Sequence, residues 1–298
     1  MNFDYGNILS HAAKITWKYK ALWVLSAFPF ILSFLLIPFF MAPVFLLTGN
    51  DASSTSKTMD IIFIIGFFLL FVLFTIGNFV LGTISASSVT LGVVRAERGE
   101  GSLNFMSLLR DGFPFFRRVL TVMLIINLTI GLVFTIFFLF LFVSSIVTMG
   151  LASLCLQPII LLLTPLMFVV IGVMEAAQTG VIAENLNTMD AIRRAIQIVR
   201  ENIWKYVIIA LIVYFGTSIL SSFIMMPLMV PIFAIPLLME SGRELSTQTI
   251  LITAITFACI FFPVMTLFSG ITGTFMKASL DITYLRLANP NGTKTVSE

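Results

Sequence analysis

Few residues of this chain have types and spacings that could do chemistry. It contains one histidine, two cysteines and 14 carboxylates among 298 residues. The histidine, His11, falls on the polar face of an amphipathic N-terminal segment, where it reads as a solvated surface residue. No second histidine exists to pair with it at a metal, and no HExxH, CxxC, GxxxxGK[ST] or GxSxG pattern occurs. Cys155 and Cys259 lie inside apolar runs and read as small buried apolar side chains. A triad, a His-assisted nucleophile, a metal centre and a bound cofactor are therefore not expected.

Ionisable and polar groups beside apolar runs carry the remaining chemistry, because charge is costly in lipid. Glu175 closes an uncharged run and shares a helix face with Gln178. About 20 residues of helix separate it from 154–158, which sets it at a membrane boundary. The plain expectation is a carboxylate in water or paired with Arg; the sharper one is a functional acid. Lys277 and Asp281 are four apart, a spacing that permits an ion pair on one helix, and also lie past the expected hydrocarbon edge. Arg95 and Arg98 end an apolar run as anchors at phosphate level. Asn78 is expected to be the most buried polar side chain, in an interhelical hydrogen bond or against a ligand.

The elements that position these groups follow from composition. Hydrophobic residues make up 59% and charged ones 10%, and mean hydropathy is +1.08. Soluble domains run near 45–50% apolar and about 25% charged, so a soluble enzyme, a disordered chain, a collagen and a disulfide scaffold are excluded. Uncharged runs at 21–47, 61–94, 119–174, 206–239 and 245–276 supply six spans, because 119–174 is too long for one helix and must fold as a hairpin. Its turn is expected between Met149-Gly150 and Gln157-Pro158. Backbone groups in lipid must pair internally, and the runs lack the alternation of a barrel, so the expected fold is an all-α bundle of six transmembrane helices.

Fifteen of the 17 Lys and Arg residues fall on one side of such a bundle; only Lys57 and Arg243 fall on the other. The positive-inside rule then puts both termini in the cytoplasm of a cytoplasmic-membrane protein. Net charge of +3 reports these loops rather than nucleic-acid binding. The basic segments are amphipathic. Ile8, Leu9, Ala12, Ala13, Thr16 and Tyr19 share one face, and Ile192, Ala195, Ile196, Val199 and Ile203 share another. The stretch 102–111 behaves likewise up to a Gly112/Pro114 break. These segments are expected to lie in the membrane interface, with Trp17, Trp23 and Trp204, and with Arg193 and Arg194 facing water. An interfacial helix followed by a hairpin thus recurs three times, at about 7–94, 103–182 and 188–288, in one domain of 1–288 with a flexible tail at 289–298. Trp17-Lys18-Tyr19 and Trp204-Lys205-Tyr206 match between the first and third units. Prolines concentrate in the outer halves of the spans, at Pro38, Pro43, Pro158, Pro165, Pro227, Pro231, Pro236 and Pro263, and small residues in the inner halves of the even ones.

Tyr5-Gly6-Asn7-Ile8-Leu9, Ala13 and the run from Trp17 to Trp23, with Tyr284-Leu285-Arg286-Leu287 near the end, carry a resemblance. The chain resembles bacterial six-helix membrane proteins that include the membrane domain fused to some glycerophosphoryl diester phosphodiesterases. That resemblance implies the same bundle and no catalytic residues, since the soluble diesterase domain is not in this sequence. The expected function is non-catalytic, through lipid, small-molecule or protein contacts in the membrane. The alternative is a transporter or permease subunit, with an ATPase as partner.

Overall fold

A computed structural model describes residues 3–31, 33, 57–100, 103–240 and 247–289. The described chain is all-α. Its helices are α1 (Tyr5–Lys18), α2 (Ala21–Ile31 as described), α3 (Lys57–Glu97), α4 (Phe105–Val147), α5 (Leu151–Ala183), α6 (Thr188–Glu201), α7 (Ile203–Glu240) and α8 (Thr247–Ala288). Five of them, α3, α4, α5, α7 and α8, are long and apolar enough to cross a membrane. The first expected span continues from α2 into residues outside the described set, with Pro38 and Pro43; Arg243 and the tail at 290–298 lie outside it too.

The hairpin turns at the near end of its expected region. Asn104 caps the start of α4, its side chain accepting from Met106 N–H. At the far end, Met149 (φ 51°) and Gly150 (φ 92°) take left-handed backbone. Gly150 N–H donates to Ser145 C=O at 2.8 Å and Met149 N–H to Ile146 C=O at 3.4 Å, a Schellman stop that pairs two carbonyls at the helix end. Gln157 and Pro158 belong to α5 instead.

Two expectations about the amphipathic segments change. The stretch 102–111 is not a separate interfacial helix: α4 runs unbroken through Gly112 and Pro114. A proline removes one helical hydrogen bond without ending a helix that tertiary packing holds, and Gly112 is packed so closely on α3 that a Cβ there would stand 2.8 Å from Ser88 Oγ. Nor do α1 and α6 lay their apolar faces on lipid. Ile8, Ala12, Ile15 and Thr16 of α1, and Ala191, Ala195, Ile198 and Val199 of α6, are buried in the protein core. In α6 the buried stripe is rotated from the expected one, so that Ile196 is 48% exposed, and Ile203, expected on the same face, begins α7 and is 39% exposed. Alanines at the contact let α6 seat on α5. Ala195→Leu should therefore overpack this joint and cost about 1–3 kcal/mol, lowering the thermal midpoint in detergent, whereas Ile196→Ala should leave it within error.

The bundle has two unlike halves. Phe68, Leu69 and Leu73 of α3, Leu132, Ile136 and Phe140 of α4, and Phe223 and Met226 of α7 are exposed apolar side chains. Lipid tails solvate such surfaces as well as a protein core does. Towards α1 and α6 the same helices become buried, around Val89, Val93, Ala176, Ala177, Val181, Ile209, Leu280 and Ile282. The 43 residues of α4 span about 64 Å at 1.5 Å per residue, roughly twice a hydrocarbon core of about 30 Å. Long helices thus carry a packed block beyond the apolar band.

Candidate functional site

Within that block α3, α5 and α8 meet, and the polar residues of three distant segments converge. On α5, Glu175, Gln178 and Thr179 follow at three- and four-residue spacing and share a face; on α8, Lys277 and Asp281 do the same. Lys277 Nζ donates to Glu175 Oε2 at 2.6 Å and to Gln178 Oε1 at 3.2 Å. Thr179 Oγ1 lies 2.7 Å from Asp281 Oδ1 and 2.9 Å from its own helix's Glu175 carbonyl. Both cross-helix contacts join residues 102 positions apart, as two parallel helices in one register require.

Burial sharpens the electrostatics. Asp281 is 0% exposed and Glu175 8%, so neither is the solvated boundary carboxylate expected from sequence. Lys277 and Asp281 do not form the four-apart ion pair either: the lysine is drawn to Glu175, and Asp281 turns to Thr179. Glu175 takes the ammonium, and Asp281 is buried with no cation in contact among the described residues. Asp281 Oδ2 has no hydrogen-bond partner among the described residues, nor have Gln178 Nε2, Ser88 Oγ, Tyr206 Oη and Thr90 Oγ1. Thr90 stands beside Asp281 with its hydroxyl outside hydrogen-bonding geometry. Asp281→Asn keeps the shape and the acceptor for Thr179, adds a donor towards Thr90, and removes a carboxyl group buried with no cation in contact. It should raise stability by about 1 kcal/mol or more, read as a higher unfolding midpoint in detergent; a fall would mean that the charge itself holds the block together.

A cavity of about 220 Å³ opens against this cluster, lined by Ser26, Gly82, Ser85, Tyr214 and Gly273 together with Glu175 and Lys277. Ser85 Oγ, on the cavity wall, donates to Leu25 C=O at 2.5 Å and so ties α3 to α2. Along α5, Glu175 lies 24 residues from Leu151, about 36 Å at 1.5 Å per residue. That exceeds a hydrocarbon thickness of about 30 Å, so the cluster sits at the edge of the apolar band.

The chain matches no protein-family model, no curated protein and no solved structure. The site's chemistry is that of its own residues. Glu175 Oε2 and two of the three ammonium hydrogens of Lys277 are engaged between the helices, so a ligand that takes any of these must displace a partner.

The other sequence candidates hold the block's rim. Arg95 donates to Asp111 Oδ2 at 2.8 Å and lies 3.5 Å from Glu100. Arg98 donates to Ala183 C=O at 3.0 Å, capping the end of α5. Both arginines bind protein rather than standing as free phosphate anchors. His11 meets Glu97 at 2.7 Å. Asn78 is only half-buried and donates to Ser33 Oγ at 2.6 Å, joining α3 to residue 33; the fully buried polar groups among the described residues include instead Thr83, Ser87, Ser88, Thr90, Gln178, Thr179 and Asp281. Trp17 and Trp204 are exposed, while Trp23 Nε1 donates to Thr16 C=O at 2.7 Å. Arg193 is exposed on α6, and Arg194 reaches Glu184 at 4.0 Å. Sequence reasoning missed Thr179, Thr90, Ser85, Tyr206, Tyr214 and the bond from Tyr284 to Glu184 at 2.9 Å. The available signal was the run of Ser and Thr on the inner halves of α3 and α8, read only as packing.

Proposed function

We propose that this chain is a six-span protein of the cytoplasmic membrane, with both termini in the cytoplasm, that works without catalysis through lipid or partner-protein contacts. The carrying observation is the division of labour between its halves. Several charged groups of the packed block are engaged between elements, as in Lys277 with Glu175, Arg95 with Asp111, Arg98 with the end of α5 and Tyr284 with Glu184. Away from it, the described parts of α3, α4 and α7 present exposed apolar side chains. The one-sided distribution of Lys and Arg supports the orientation. The two Trp-Lys-Tyr motifs support a likeness between the first and third units: in each the tryptophan is exposed and the tyrosine, Tyr19 or Tyr206, is buried in the core. The resemblance to the six-helix membrane domain agrees with both. Affinity purification from membranes in mild detergent tests the reading. A reproducible lipid class or a stoichiometric membrane partner is expected; monodisperse protein carrying neither would overturn it.

A second reading, a transporter or permease subunit, is favoured by the polar cavity with Glu175 and Lys277 in its wall. The exposed face of α6, where Arg193, Gln197 and Arg200 border a shallow depression, is where an ATPase would couple. Arg193→Glu would then abolish co-purification of such an ATPase while leaving the unfolding midpoint unchanged.

A further inference from the structure

We propose that the groove between α2 and α8 holds one phospholipid of the membrane, bound by its acyl chain along the groove and by its anionic headgroup at Lys20. This rests on the lipid-contact reading above and names the ligand class and its seat.

The two helices touch part-way along the groove: a Cβ on Gly270 would stand 2.5 Å from Trp23 C=O and 3.2 Å from Ala27 Cβ. Around that contact the groove, about 540 Å³, runs from Lys20 to Ile31 on one side, with Phe262, Pro263, Thr266 and Leu267 on the other. Lys20, just before α2, and Val24, Ala27 and Ile31 on it recur at four, three and four positions, so they form one stripe. The stripe is apolar except at its inner end.

Length and charge select the occupant. From Lys20 to Ile31 is 11 residues, about 16 Å along a helix, which matches half of a hydrocarbon core of about 30 Å. The groove is therefore one leaflet deep. Its charged end coincides with an aromatic pair of the kind that sits at headgroup level: Trp17 and Trp23 meet edge to face at 5.4 Å. Lys20 is exposed there, and neither it nor Lys14 or Lys18 has an acidic partner among the described residues. A chain-length apolar slot ending in the ammonium of Lys20, which has no acidic partner among the described residues, complements an anionic phospholipid. A second copy's helix would leave that charge unanswered.

Trp23 lies in the groove and reports on it. The chain has three tryptophans, so Trp17→Phe with Trp204→Phe leaves Trp23 alone. This protein is reconstituted in phosphatidylcholine vesicles containing a minor share of either brominated phosphatidylglycerol or brominated phosphatidylcholine. Brominated phosphatidylglycerol should quench Trp23 about fivefold more than its share of the lipid implies, the enrichment that one interfacial lysine provides. Brominated phosphatidylcholine should quench in proportion to its share. Lys20→Glu should abolish the preference. Val24→Phe with Leu267→Phe should abolish it too, by filling the slot at positions 51% and 56% exposed, where folding tolerates the change. A protein with Trp204 as sole tryptophan should not respond to that pair of substitutions. Quenching of Trp23 in proportion to lipid share, or a preference that survives Lys20→Glu, would overturn the proposal. So would a Trp23 that neither lipid reaches, because another helix then fills the groove. If purified protein carries lipid or a partner while Trp23 shows no preference, the groove proposal falls and the lipid-contact reading stands.

Discussion

Replacing Lys277 with methionine should cost about 3–5 kcal/mol, the usual penalty for leaving one member of a buried ion pair alone. Glu175 is 8% exposed and has Lys277 Nζ at 2.6 Å as its cation. Methionine fills the space but leaves the carboxylate unanswered, next to a second carboxylate at Asp281. Gln178 Oε1 also loses its donor. Glu175→Gln together with Lys277→Met removes both charges at nearly constant volume and should return most of the loss, because a well-packed neutral pair often equals a buried ionic one. Unfolding midpoints in one detergent, for both single variants and the double, give the coupling directly. Additive losses would show that the pair does not hold α5 to α8. A loss confined to Glu175→Gln would assign the carboxylate a role of its own in the cavity.

Gly270→Val should be the most damaging change that alters no charge. Its Cβ would meet Trp23 C=O at 2.5 Å, and the obstacle is backbone, which no rotamer change can move. α2 must shift off α8, which costs at least the roughly 1–3 kcal/mol of an overpacked core. Monodispersity in detergent should suffer along with the midpoint. Gly131→Ala is the control: nothing stands within 4 Å of a Cβ there, and helix propensity alone should stabilise by about 1 kcal/mol. Equal behaviour of the two variants would mean that α2 and α8 do not touch in the membrane.

Fold class was legible because it depends on local sums. Twenty successive apolar residues make a span regardless of what surrounds them, and α3, α4, α5, α7 and α8 follow the apolar runs closely. The hairpin's turn was legible to within a few residues, since Met149-Gly150 interrupts an otherwise featureless stretch. Less was legible where packing overrode a local signal. Gly112 and Pro114 read as a break, yet α3 lies against Gly112 and the helix continues. In α6 an amphipathic face was plain, but its burial in protein rather than lipid was not, since both solvents accept the same side chains.

The candidate site divides in the same way. Glu175, Gln178, Lys277 and Asp281 could be singled out from sequence, because ionisable groups flanking apolar runs are costly and conspicuous. Their partners could not. Four-residue spacing favoured Lys277 with Asp281, whereas the folded chain joins Lys277 to Glu175 and Asp281 to Thr179, each 102 positions away. Hydropathy and charge asymmetry are properties of short segments, so sequence by itself determined an all-α architecture with helices long and apolar enough to cross a membrane, and which ends of those helices carry the charge. Pairing depends on the rotation and register of one helix against another, and one residue of slip turns a face by about 100°. Only the tertiary structure decided which charges meet, that a polar cluster forms between α5 and α8 beside a cavity, and where α2 and α8 part to leave a groove.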